Sequence, residues 1–120
     1  MRVTNLTSPR TDKPVANQYA ITGDGGEYFQ SYDSVIAHLT TGENGLLLVS
    51  DDYNYSNTTS RYFKRWLGTW GIEGDEFDNL KKLLNKAQFG QKYKLTFGQF
   101  DYTVVLVSDV ESAIRHKMYQ

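Results

Sequence analysis

Two periodicities divide this chain. From Val15 to Ser50 the apolar positions suit strands: Asn17–Thr22, then a run containing Tyr28, Phe29, Tyr32, Val35, Ile36 and Leu39, then Leu46–Ser50. The cluster Gly23-Asp24-Gly25-Gly26 separates the first two runs, because glycine adopts positive φ at no steric cost. Thr40–Gly45 separates the second from the third. The pattern predicts three antiparallel strands in succession. After the polar loop Asp51–Asn57 the period becomes 3.6. Tyr62, Phe63, Trp66, Leu67 and Trp70 then form one helical stripe. Thr58 or Thr59 would cap this helix, and Gly68 and Gly71 would end it. A second helix is predicted over Asp75–Gln88, with Phe77, Leu80, Leu83, Leu84 and Ala87 on one face. Acids lead it and lysines follow, as the helix dipole favours.

The next pair of strands is the most sharply determined local structure. Lys92–Phe97 and Phe100–Val107 flank Gly98-Gln99, a type II′ hairpin signature. That register sets Phe97 opposite Phe100, Leu95 opposite Tyr102 and Tyr93 opposite Val104. Val104–Val107 is apolar on both faces, which predicts a central strand covered on each side. Ser108-Asp109-Val110-Glu111 is a capping-box pattern, and Val110, Ala113, Ile114 and Met118 continue it as a short terminal helix. The predicted order is β-β-β-α-α-β-β-α. Strands and helices are segregated, so the expected class is α+β: an antiparallel sheet of about five strands packed against two or three helices. Residues 1–14, which hold both prolines, read as an irregular arm on a single domain spanning 1–120.

Composition narrows the function. The chain has 120 residues and no cysteine, which excludes disulfides, thiolate metal sites and cysteine nucleophiles. No apolar run approaches the roughly 20 residues of a membrane span, and the polar N-terminus lacks a signal-peptide core, so a cytoplasmic home is expected. The net charge of −1 is uneven. Residues 1–57 hold 3 basic and 7 acidic side chains, whereas residues 58–98 hold 8 basic and 4 acidic. Aromatic residues make up 14% of the chain, with 9 tyrosines among them. Tyrosine offers large area and a polar tip, and it is enriched at binding surfaces.

The motifs of catalysis are missing. His38 and His116 lie far apart and belong to no ligand-spaced pair. Asp52-x-Asn54-x-Ser56 opens like a calcium loop but lacks its glycine and its terminal glutamate. The glycine cluster at 23–26 has neither the Lys nor the Ser/Thr of a phosphate loop. No G-x-S-x-G elbow occurs. The expectation is therefore a protein that is not an enzyme and carries no cofactor or metal. Two binding surfaces remain. Asp51, Asp52, Tyr53 and Tyr55 form a paratope-like contact loop for a protein. Arg61, Lys64 and Arg65, at i, i+3 and i+4, form a basic stripe that nucleic acid could use, supported by Lys81, Lys82, Lys86, Lys92 and Lys94. The ordinary alternative for these cations is a solvated helix face. Trp66 shares the apolar stripe and reads as core, and Trp70 stands between core and contact.

Three stretches carry a resemblance: Asn5-Leu6-Thr7-Ser8-Pro9-Arg10 running into Pro14-Val15-Ala16-Asn17-Gln18-Tyr19, then Tyr28-Phe29-Gln30-Ser31-Tyr32-Asp33-Ser34-Val35-Ile36-Ala37, then Tyr55-Ser56-Asn57-Thr58-Thr59-Ser60-Arg61-Tyr62-Phe63. Together, over roughly residues 1–68, the chain resembles small accessory proteins carried by bacteriophages and other mobile elements. The resemblance implies no catalytic or ligand residue. It implies a setting, in which such proteins bind host proteins and inhibit them, CRISPR nucleases and other defence systems included. Many DNA-mimic inhibitors are strongly acidic and this chain is not, so the expected mode is surface blocking rather than charge mimicry.

Overall fold

The computed structural model describes residues 1–23, 25–40 and 45–117. One seven-stranded sheet organises them, in the order β1-β2-β3-β4-β5-β7-β6. Strands β1 (Arg2–Thr7), β2 (Pro14–Gly23), β3 (Gly26–Ser31), β4 (Ser34–Thr40) and β5 (Gly45–Ser50) form an antiparallel meander. The chain then leaves the sheet for a 3-10 turn (Asp51–Asn54) and two helices, α1 (Asn57–Thr69) and α2 (Asp75–Lys86). It returns as the hairpin β6 (Lys92–Phe97) and β7 (Phe100–Val107), and ends in α3 (Val110–Arg115). β7 enters between β5 and β6 and runs parallel to β5, the only parallel pairing among the described residues.

Burial explains this order. β4, β5 and the second half of β7 are apolar on both faces, so they occupy the middle of the sheet. On one face Phe29, Leu39, Leu47, Val49 and Val104 pack against Phe63, Trp66 and Leu67 of α1 and against Leu80 and Leu84 of α2. On the other, Leu48, Val105 and Val107 pack against Val110 and Ala113 of α3. The three cross-strand pairs expected in the β6–β7 hairpin are present, and Gly98 takes φ 62 at its turn.

The architecture is α+β, with seven strands where about five were expected. Both extra strands have a local cause. The presumed irregular arm contains β1, which pairs with β2 from Arg2↔Thr22 to Thr7↔Pro14. Its side chains are largely exposed, so no apolar alternation marked it. The run from Tyr28 to Leu39 is not one strand but two, folded at Tyr32-Asp33 without a glycine. Helix starts also move. α1 is capped by Ser56, not by Thr58 or Thr59, and α3 by Asp109, one residue beyond the capping-box serine. Asp24, most of the turn Thr40–Gly45 and Met118 lie outside the described residues. Among the described residues, no helix is long and apolar enough to cross a membrane.

Candidate functional site

Two turns meet at the start of α1. The first joins β3 to β4, with Ser31 and Ser34 paired and Tyr32-Asp33 at the tip. Tyr32 sits at φ 55, a left-handed conformation that a bulky side chain adopts at a cost of about 1 kcal/mol. Hydrogen bonds hold it there. Its amide donates to the Asn17 carbonyl (2.7 Å), and its carbonyl accepts from Gln30 Nε2 (2.8 Å). The second is the 3-10 turn, where the Ser50 hydroxyl accepts from the Asp52 amide (3.1 Å) and the Tyr55 amide donates to the Asp52 carbonyl (3.0 Å). Ser56 then caps α1 by accepting from the Thr59 amide (3.1 Å).

Between the turns lies a cleft of about 360 Å³. Tyr32, Asp33, Asp52 and Tyr55 are its exposed walls, and the buried hydroxyls of Ser31 and Thr59, 3.0 Å apart, are at its base. Tyr32 is 47% exposed and Tyr55 76%. Among the described residues, no basic side chain lines it. Behind the base, Gln18 faces Ser31 across the β2–β3 ladder. Gln18 is 1% exposed, and neither of its amide atoms has a hydrogen-bond partner among the described residues.

The expected contact loop is thus only partly available. Asp51, Asp52 and Tyr55 face water. Tyr53, expected beside them, is buried: its ring lies 5.9 Å from that of Phe63, and its hydroxyl donates to Asn85 Oδ1 (2.7 Å). The 3-10 turn points Tyr53 inward while Asp51, Asp52 and Asn54 stay exposed, which a reading of the loop as uniformly wet misses. Burial also pushes the Tyr53 phenol above its ordinary range.

The basic stripe lies along α1. Arg61, Lys64 and Arg65 line a groove of about 590 Å³ together with Pro9, Gly68 and Glu73. Two of the three cations already have partners in the chain. Arg65 donates to Thr7 Oγ1 (3.0 Å) and pairs with Asp12 (3.3 Å), fastening the β1–β2 connection to α1. The Lys64 ammonium stands 5.3 Å over the Phe77 ring, and Arg61 is exposed.

Trp70 is not free either. Its indole N–H and that of Trp66 both donate to Glu27 Oε1 (3.1 and 2.7 Å), while Thr22 donates to Glu27 Oε2 (2.9 Å). The spacing of 66 and 70 puts both indoles on one side of α1. Nothing in the sequence marks Glu27 as their acceptor, because the contact joins residues about 40 positions apart. Tyr32 and Asp33 were also missed as site residues, since Ser-Tyr-Asp-Ser contains no glycine to signal a turn.

No curated protein and no solved structure matches the chain. A family model, described as a family of unknown function (DUF8033), matches residues 1–90, from β1 through α2 and just short of β6. Because that match spans three quarters of the 120 residues, the chain belongs to the DUF8033 family.

Proposed function

We propose that this chain is a non-catalytic binding module that grips another protein through the end of the sheet where the β3–β4 turn meets Tyr55. The observation that carries this reading is the pair Tyr32 and Tyr55, 47% and 76% exposed, flanking a cleft beside Asp33 and Asp52. Exposed tyrosines next to short polar side chains give large contact area at low entropic cost. In the setting implied by the resemblance, the partner is a host protein in the bacterial cytoplasm, and binding inhibits it. A CRISPR nuclease or another defence protein is the first class to try.

The test compares capture of partners from a bacterial lysate by the natural chain and by the Tyr32→Ala/Tyr55→Ala variant. A protein retained by the first and lost by the second supports the reading. Equal capture by both, or recovery of nucleic acid alone, overturns it.

The second reading is nucleic-acid binding through the groove of Arg61, Lys64 and Arg65, favoured by the alignment of three cations along one groove. It is weaker, because Arg65 and Lys64 are engaged internally and Glu73 adds an opposing charge. A gel shift that falls steeply with salt and disappears in Arg61→Glu would favour it.

A further inference from the structure

Resting on the protein-binding reading, we propose that the cleft between Tyr32 and Tyr55 receives a cationic side chain of the partner, an arginine before a lysine. Asp33 and Asp52 give it two exposed carboxylates, with no compensating cation in the lining among the described residues. Neither carboxylate is ion-paired among the described residues, where Arg65–Asp12 is the only such pair. Two accessible phenol rings flank the carboxylates, and an aromatic face attracts a cation through its quadrupole. A guanidinium is flat and always charged, so it can lie on a ring while its edge donates to a carboxylate.

The base of the cleft agrees. Ser56 donates to Thr59 Oγ1, and the Thr59 and Ser31 hydroxyls share one further hydrogen bond, which occupies at most one lone pair of Ser31. Ser31 Oγ keeps lone-pair capacity, and Gln18, its cross-strand neighbour, carries a buried amide with no hydrogen-bond partner among the described residues. Ser31 thus adds an acceptor oxygen to the lining that holds the two carboxylates. An anion is disfavoured: although α1 begins here, its first-turn Thr59 amide is taken by Ser56 and both aspartates repel negative charge.

The experiment is an NMR titration of the full chain with a tri-arginine peptide, with a tri-glutamate peptide and calcium chloride as separate arms. Shifts confined to Tyr32, Asp33, Asp52 and Tyr55, weakened about ten-fold or more in Asp33→Asn/Asp52→Asn, support the proposal. Both aspartates are exposed, so that variant is expected to melt as the natural chain does. Three outcomes overturn the proposal: shifts scattered over the surface, binding indifferent to the two aspartates, or the same residues responding to calcium at lower concentration than to the peptide. The two readings fail separately. Lysate capture that needs the tyrosines but not the aspartates leaves protein binding standing and removes the cation. Peptide binding at the cleft without tyrosine-dependent capture does the reverse.

Discussion

At the scale of single residues, buried polar groups decide the molecule's character. Glu27 is half-buried and uses both oxygens on neutral donors, so it pins β3 to α1 through two indoles. Trp66 is fully buried. Glu27→Ala strands its N–H and is expected to cost about 2–3 kcal/mol in urea unfolding, whereas Glu27→Gln keeps an acceptor and costs less. His38 is buried against the Tyr28 ring, 4.3 Å away, with Nδ1 unpartnered among the described residues. Burial lowers its pKa below the ordinary imidazole value of 6.5, against a smaller upward pull from the Glu27 backbone. The unfolded chain therefore takes up a proton that the folded chain resists. Stability contributed by this group is complete above pH 6.5 and is lost as pH falls below it. Urea midpoints measured from about pH 7 to pH 5 are expected to fall in the natural chain and to fall less in His38→Leu.

At the scale of elements, legibility followed the strength of local signals. The β6–β7 hairpin could be read to the residue, because a Gly-Gln turn and six apolar positions agreed. α1 and α2 could be read from their stripes. β1 could not, since its side chains are mostly wet. Nor could the β3–β4 turn, where a tyrosine takes a conformation usually left to glycine. That turn also supplies half of the candidate site, so the missed element and the missed residues are one event. The same reasoning yields a prediction. Tyr32→Gly relieves the left-handed strain of about 1 kcal/mol, so its melting temperature is expected to stay level or rise by a few degrees. Its capture of a partner is expected to fall. A variant that is less stable and binds normally would show that the ring serves the fold instead.

At the scale of the whole molecule, the sheet is assembled from two stretches of sequence. The meander β1 to β5 is sequential, while β7 pairs with β5 only after α1, α2 and β6 have intervened. The segment matched by the family model ends at residue 90, before β7 supplies Tyr102, Val104 and Leu106 to the core. Residues 1–90 alone would leave β5 as an open edge whose Leu47, Leu48 and Val49 are otherwise wholly buried, and such an edge invites aggregation. Gln88 and Phe89, by contrast, lie exposed in the loop that precedes β6. A backbone severed between them is therefore expected to yield two fragments that are insoluble or unfolded apart and soluble when co-expressed, as co-purification and circular dichroism would show. The parallel seam between β5 and β7 would then act as a dock for a detachable C-terminal piece, and the chain as a two-part reporter that reassembles without a covalent link.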